Sequence, residues 1–252
     1  MRTILKKSIV GLVSLVFLVA FNLIIANSAC SLTLWYNGES DGYFEFPAIY
    51  PFFDTQATVY DDFLVPSGGW TIDSVWAYYS TNFLLPSTSP DAFWEIRSGV
   101  SVGNGGTVVA SSSMNPGYSV SQDVSSTSPP NYFSTIEVTG LDIFLPGGTY
   151  WLAVTPVAPG ISPDDERALI AATRGINAIG TPAGDNGNSF VNGTVWNTTH
   201  NFASINETNF TGFELSDFSM GVGGTPVPEP ATVLLLGTGL VGLVGFRKKF
   251  KK

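Results

Sequence analysis

The sequence predicts an all-β protein: a single β-sandwich of the jelly-roll kind, flanked by two apolar ends. Three observations point there. The apolar runs of the middle are short, aromatic and β-branched. Clusters of Gly, Pro, Ser and Asn bound them. Between the two ends, no apolar stripe of helical period lasts more than about two turns.

The elements follow in order. Leu32-Thr33-Leu34-Trp35-Tyr36 opens the domain, and Ala57-Thr58-Val59-Tyr60 runs into Asp61-Asp62-Phe63-Leu64-Val65. Trp70 to Tyr79 has near-alternating large residues; Ala92 to Arg97 and Thr149 to Val154 are built alike. Tyr132 to Val138, Ala168 to Thr173 and Phe210 to Met220 are further strand candidates. The turns are Pro66-Ser67-Gly68-Gly69, Gly103-Asn104-Gly105-Gly106 and Pro146-Gly147-Gly148. Side chains alternate across a strand, so such runs present one face to a core and one to solvent or a second layer.

Charge is scarce and unevenly placed. Only 12% of the 252 residues are charged. Three basic residues lie at the start (Arg2, Lys6, Lys7) and five at the end (Arg247, Lys248, Lys249, Lys251, Lys252). From Glu39 to Asp217 stand Arg97, Arg167 and Arg174 against 19 acids, a balance of −16. Such a surface repels phosphate backbones and anionic membranes, so nucleic acid is excluded as a partner. It keeps a protein soluble and attracts divalent cations. The single cysteine, Cys30, excludes an internal disulfide, so the fold rests on its core.

Both ends read as targeting segments. After Met1-Arg2-Thr3-Ile4-Leu5-Lys6-Lys7 comes an apolar run from Ile9 to Ile25, then Ala26-Asn27-Ser28-Ala29-Cys30. A positive start, an apolar middle and small residues make a secretory signal over residues 1–30, cut between Ser28 and Ser31. An uncleaved anchor and a lipidated Cys30 are the weaker readings, the latter because Asn27 stands where an apolar residue is needed.

At the other end Thr225-Pro226-Val227-Pro228-Glu229-Pro230 is stiff and extended, because each proline fixes its own φ and restricts the residue before it. The Gly-Gly-Thr-Pro segment leading in, Gly223 to Pro226, reads as a spacer between the domain, 31–225, and the motif. Residues 231–246 carry no charge. As a helix they would be about 24 Å long, short of a hydrocarbon core of about 30 Å. Gly237, Gly239, Gly242 and Gly245 give this helix a smooth face for a partner helix. Arg247, Lys248 and Lys249 act as the cytoplasmic stop.

Val227-Pro228-Glu229-Pro230-Ala231-Thr232, a Gly-bearing apolar stretch and an Arg-Lys-Lys tail together resemble the PEP-CTERM sorting domain, over residues 226–252. That resemblance implies a substrate of exosortase, a membrane-embedded cysteine protease, with Pro228, Glu229 and Pro230 as the recognition element. It also implies use of the general secretion machinery and a transient membrane anchor at residues 231–246. The destination implied is the outer surface or extracellular matrix of a Gram-negative, exopolysaccharide-making bacterium. In the middle of the chain, Tyr60-Asp61-Asp62-Phe63, then Phe93 to Ser101 with Gly103 to Thr107, then Leu145 to Leu152 resemble the choice-of-anchor families of exported β-rich domains, which implies a surface domain without an assigned activity.

Candidate sites are few. The single histidine, His200, lies in a polar Thr/Asn stretch that reads as a solvated loop, and no nucleophile elbow, zinc-protease motif or phosphate loop is present. The chain is expected not to be an enzyme and to need no cofactor. Calcium is the one metal left open, through Asp164, Asp165, Glu166, Asp185 and Asn188, oxygen ligands in loops that lack full calcium-loop spacing. The carboxylates Asp61, Asp62, Glu95 and Asp164 to Glu166 leave a glycosidase as a third reading. A carbohydrate-binding module is the second, with Trp196 as the sugar-stacking residue in its polar loop. Four sequons lie between Asn192 and Thr211; Asn209, with Glu207 two residues before it, is the candidate glycan acceptor.

Overall fold

The computed structural model describes residues 31–50, 55–85, 92–112, 117–124, 132–157, 167–184, 186–205, 217–228 and 237. All but Ser31 belong to one unit, Leu32–Lys252; Ser31 closes the other, Met1–Ser31. The predicted signal segment, 1–30, lies outside the described residues.

Alternation produces strands throughout. They are β1 (Leu32–Tyr36), β2 (Ser40–Tyr50), β3 (Thr55–Val65), β4 (Trp70–Thr81), β5 (Ala92–Ser98), β6 (Thr107–Ser112) and β7 (Gly117–Val124). Then follow β8 (Tyr132–Leu145), β9 (Gly148–Pro156), β10 (Ala168–Thr173), β11 (Phe190–Val195), β12 (Thr198–Ser204), β13 (Asp217–Phe218) and β14 (Met220–Pro226).

The strand that shapes the fold is β3. Gln56 to Tyr60 pair antiparallel with Thr194 to Phe190 of β11, whereas Asp61 to Val65 pair with Leu152 to Gly148 of β9. The strand thus changes partner between Tyr60 and Asp61. Beyond β9 the sheet continues through β5 to β6. On the other side it runs through β2 and β10 to β4, which carries β8 and β7 along one edge and β14 with β1 along the other. The pairings are antiparallel and join into one sheet. The all-β expectation holds. The two hydrogen-bonded layers of a sandwich are instead one antiparallel sheet that curls, because β3 is bonded in both halves.

Curling brings the halves face to face. Ile72, Val75, Ile136 and Val138 of β4 and β8 share one buried core with Trp94, Ile96, Leu152 and Val154 of β5 and β9. The Tyr79 hydroxyl crosses it to donate to the Val154 carbonyl at 2.8 Å. Phe63 sits among Trp35, Trp70 and Tyr150, with ring centroids 5.5, 6.2 and 5.7 Å away. Fully burying a side chain of this size contributes about 1.5–3 kcal/mol, so these aromatics hold the curl closed. The opposite face of β5 and β9 is not left to solvent. The β11–β12 hairpin lies over it, and Tyr60, Val100, Trp151, Ala153, Phe190 and Phe202 form a second, smaller core there. A bulge in β12 puts Phe202 at φ 45° and turns its ring onto Tyr60, 5.2 Å away.

The end of the domain corrects the expected spacer. Gly223 to Pro226 are sheet, not linker: β14 pairs with β4 from Met220↔Ala77 to Pro226↔Trp70. The glycines are there for close packing. A Cβ on Gly221 would come 2.3 Å from the Trp76 ring, and one on Gly224, at φ 154° beside a bulge, 2.1 Å from the Thr71 carbonyl. The predicted strand Phe210 to Met220 lies outside the described residues up to 216; its last residues contribute β13 and the start of β14. No helix among the described residues is long and apolar enough to cross a membrane. The predicted span, 231–246, lies outside them except for Gly237.

Gly224→Val is expected to destabilise the domain by about 2–3 kcal/mol, because backbone rather than a mobile side chain blocks the new atoms. Urea unfolding measures it; an unchanged midpoint would mean β14 contributes nothing.

Candidate functional site

Three places gather the polar and exposed groups: the partner switch of β3, the tip of the β11–β12 hairpin with the groove beside it, and the end of β14.

At the switch, the period of the strand turns Asp61 inward and buries it completely. A buried carboxylate must be hydrogen-bonded to survive, and this one is. Asp61 Oδ2 accepts from Asn37 Nδ2 (2.8 Å) and from the Phe218 backbone N–H (2.6 Å), and Oδ1 from the Asp62 N–H (2.9 Å). Asp217, also fully buried, accepts the backbone N–H groups of Asn186 (2.7 Å) and Gly187 (3.1 Å). Asp62 accepts from Asn186 Nδ2 at 2.8 Å. Burial first, and then the neighbouring Asp217, hold the Asp61 carboxyl well above the ordinary range; burial raises Asp62 and Glu45 too. The Asp61–Asp62 pair, considered from sequence for glycoside hydrolysis, is thus occupied as a hydrogen-bond acceptor. Glu95 is occupied as well: Arg97 pairs with it through two nitrogens, and Tyr60 donates to it at 2.7 Å.

Of the calcium candidates, only Asn188 lies among the described residues. Asp164, Asp165, Glu166 and Asp185 lie outside the described residues. In the rest of the Asp185-Asn186-Gly187-Asn188 loop, nitrogens rather than oxygens face the carboxylates, as the bonds to Asp217 and Asp62 show. Asn186 Oδ1 accepts the Asn188 N–H (2.9 Å), and the Asn188 carbonyl accepts Trp151 Nε1 (3.2 Å). Among the described residues no group of three or more His, Cys, Asp and Glu side chains could hold a metal ion.

The stretch read as a polar loop is a hairpin. Trp196 and Asn197 form its two-residue turn, at φ 48° and 60°, which is the left-handed pair a type I′ turn requires. Asn suits that geometry; a tryptophan rarely adopts it. His200 lies within β12, opposite Gly193. Trp196 is 43% exposed, while Trp35, Trp70, Trp94 and Trp151 are buried. Its backbone N–H donates to Thr55 Oγ1 (3.0 Å).

Thr55 also lines a groove of about 570 Å³, which opens where β3 parts from β9. Ile49, Gln56, Thr58, Phe93 and Thr155 are among its walls, and none of the described lining residues is charged. Thr155 is 8% exposed, and its hydroxyl oxygen is sealed from solvent. The Tyr79 hydroxyl donates to the Val154 carbonyl, and its oxygen lies in hydrogen-bonding contact with the Thr155 hydroxyl. Sequence reasoning missed this groove, because its walls come from β2, β3, β5 and β9 and no local pattern joins them.

The end of β14 meets the predicted sorting motif directly. The Val227 N–H donates to the Gly69 carbonyl at 2.9 Å, so the fold holds the chain up to that residue, and Pro228 is exposed. Glu229, Pro230, Arg247, Lys248, Lys249 and the acceptor candidate Asn209 lie outside the described residues.

Comparison with known families agrees with this end of the chain. Residues 226–249 match the PEP-CTERM protein-sorting motif. The motif implies export, a C-terminal sorting signal and processing by exosortase. The chain matches no curated protein.

Asp61→Ala leaves three donors without an acceptor and is expected to cost about 3 kcal/mol or more, read from urea midpoints. The pH dependence has a definite sign. The Asp61 carboxyl titrates higher folded than unfolded, so its contribution is complete below the unfolded value of about 3.9 and is lost as pH rises through the folded value. The urea midpoint is expected to fall as pH rises above about 4, and to fall less in Asp61→Asn. A midpoint that rises over that range contradicts the assignment.

Proposed function

We propose that the protein is a non-enzymatic surface or matrix domain of a Gram-negative bacterium. In this reading exosortase cuts it from a transient anchor, and it associates with the exopolysaccharide of a biofilm. The observation that carries the reading is the junction of fold and signal. The sorting motif begins at Pro226, the last residue of β14, and one further residue is bonded to the sheet. From Val227 to the apolar stretch at Ala231 is about 13 Å of extended chain. A cut on the N-terminal side of Val227 would fall inside the sheet, so processing within Pro228-Glu229-Pro230 releases the domain whole.

The non-enzymatic reading draws on the carboxylates: Asp61, Asp62 and Glu95 are each engaged by N–H or O–H donors of the fold. The likeness of the middle of the chain to choice-of-anchor domains fits the same role. Carbohydrate binding is favoured as the molecular activity by Trp196, held exposed in a turn geometry that disfavours it.

The test follows the domain in cells. A tag after Ser31 should appear on full-length chain in the inner membrane of a strain lacking exosortase, and on shorter chain at the surface or in the matrix of the intact strain. Glu229→Ala should reproduce the exosortase-deficient pattern. Full-length chain persisting in the intact strain would refute the proposal.

A further inference from the structure

We infer that the end of the domain from which β14 leaves is a membrane-resting face. While the chain is anchored, the turns Pro66 to Gly69 and Pro146 to Gly147, with Phe144 and Leu32 beside them, sit against the headgroup layer of a lipid bilayer. The inference rests on the proposed anchor at residues 231–246 and adds to it a surface of the folded domain. Three observations converge on it.

Several segments reach this end together. The turn Pro66 to Gly69 joins β3 to β4 there, and Pro146 and Gly147 join β8 to β9. The two turns touch: a Cβ on Gly147 would come 2.8 Å from the Ser67 Cα. β1 enters with Leu32 opposite Gly224, and β14 leaves with Pro226 opposite Trp70. The Val227 N–H is bonded to the Gly69 carbonyl, and a Cβ on Gly69 would come 2.9 Å from the Phe144 ring. That ring therefore stands beside the point where the chain leaves the sheet. Phe144 is 57% exposed and Leu32 54%. Exposed phenylalanine and leucine on one surface are what the boundary between headgroups and acyl chains accepts.

Charge is missing from the same segments. Residues 31–38, 63–72, 143–156 and 218–228 hold no Asp, Glu, Lys or Arg, although 19 acids stand against three basic residues from Glu39 to Asp217. A surface with that balance is repelled by anionic lipid, whereas these segments offer nothing to repel. The first acids along β4 and β8 are Asp73 and Asp142, each three residues in from Trp70 and Leu145. That is about 10 Å of strand, about one Debye length at 0.1 M salt. The tether then commits the face to a bilayer. Val227 is bonded to the sheet, and about 13 Å of extended chain separates it from Ala231. A headgroup layer is about 5–7 Å thick on each side, so with Ala231 at its inner boundary the domain stands at most about 6–8 Å clear. As a helix, residues 231–246 would be about 6 Å too short for the hydrocarbon core. That shortfall draws Ala231 inward and closes the gap.

The experiment uses the full-length chain, purified from a strain lacking exosortase and reconstituted into vesicles of phosphatidylethanolamine and phosphatidylglycerol. In a Cys30→Ser background, a fluorophore is attached through Ser67→Cys, or through Thr198→Cys in the hairpin fastened to Thr55 at the far end of β3. Lipids with nitroxide headgroups serve as quencher. The Ser67 probe should lose most of its emission and the Thr198 probe none. A flexible Gly/Ser spacer inserted between Val227 and Pro228 separates docking from mere tethering. Quenching at Ser67 should persist with the spacer and be lost when Phe144→Asp is added. The melting temperature should stay unchanged, because Phe144 is an exposed side chain. Equal quenching of both probes, loss with the spacer alone, persistence in Phe144→Asp, or quenching that requires exosortase in the same vesicles would each overturn the inference. Those outcomes leave the proposed function standing if the chain is still anchored and cleaved in cells, whereas a chain that never associates with vesicles removes the anchor on which both rest.

Discussion

The fold turns on one buried carboxylate. β3 leaves the partner it has up to Tyr60 and takes another at Asp61, and at that step the regular ladder is interrupted. Asp61 gathers hydrogen-bond donors from several segments at that step. It takes the N–H of Phe218 in β13 and of Asp62 in its own strand, together with the Asn37 amide just beyond β1. Strands distant in sequence are fastened there to one side chain. Asp217 repeats the device one step outward, holding the backbone at Asn186 and Gly187. Carboxylate–amide bonds of this kind are individually stronger than neutral ones. Their cost is that two acids sit buried near each other, which is why the domain is expected to favour mild acid.

The same strand explains the two faces that follow. Where β3 and β9 stay paired, the sheet is closed and Phe63 is sealed among aromatics. Where they part, the outer face of β5 and β9 must be covered by something else. The β11–β12 hairpin covers one length of it with Phe190 and Phe202, and the groove is the length beyond. The hairpin tip, Trp196 and Asn197, stands at the end of β3 that borders this groove. Fold and candidate binding surface are therefore consequences of a single change of partner.

Much of the strand content was legible in the sequence. Trp70 to Tyr79, Ala92 to Arg97 and Thr149 to Val154 announce themselves through alternation, and they form β4, β5 and β9. The strands that escaped were polar or glycine-bearing. Thr198 to Ser204 reads as a solvated loop because its residues are Thr, His, Asn and Ser, yet pairing with β11 makes it a strand. Gly223-Gly224-Thr225-Pro226 reads as a spacer because glycine and proline favour linkers, yet the glycines are present so that backbone can approach Thr71 and Trp76. Single curled sheet and groove alike depend on contacts between residues far apart in the chain, which periodicity does not carry. The sorting motif was the reverse case: its information is local, in a tripeptide, an apolar run and a basic tail, so sequence alone was sufficient to point to it.

The central claim is that the fold ends where the sorting signal begins and that the signal is removed there. The intact mass of the protein recovered from the cell surface tests it most directly. A C-terminus at Pro228 or within the few residues after it, with β14 and Val227 retained, is the predicted result. A terminus at Lys252, or one inside β14 on the N-terminal side of Val227, would contradict the account.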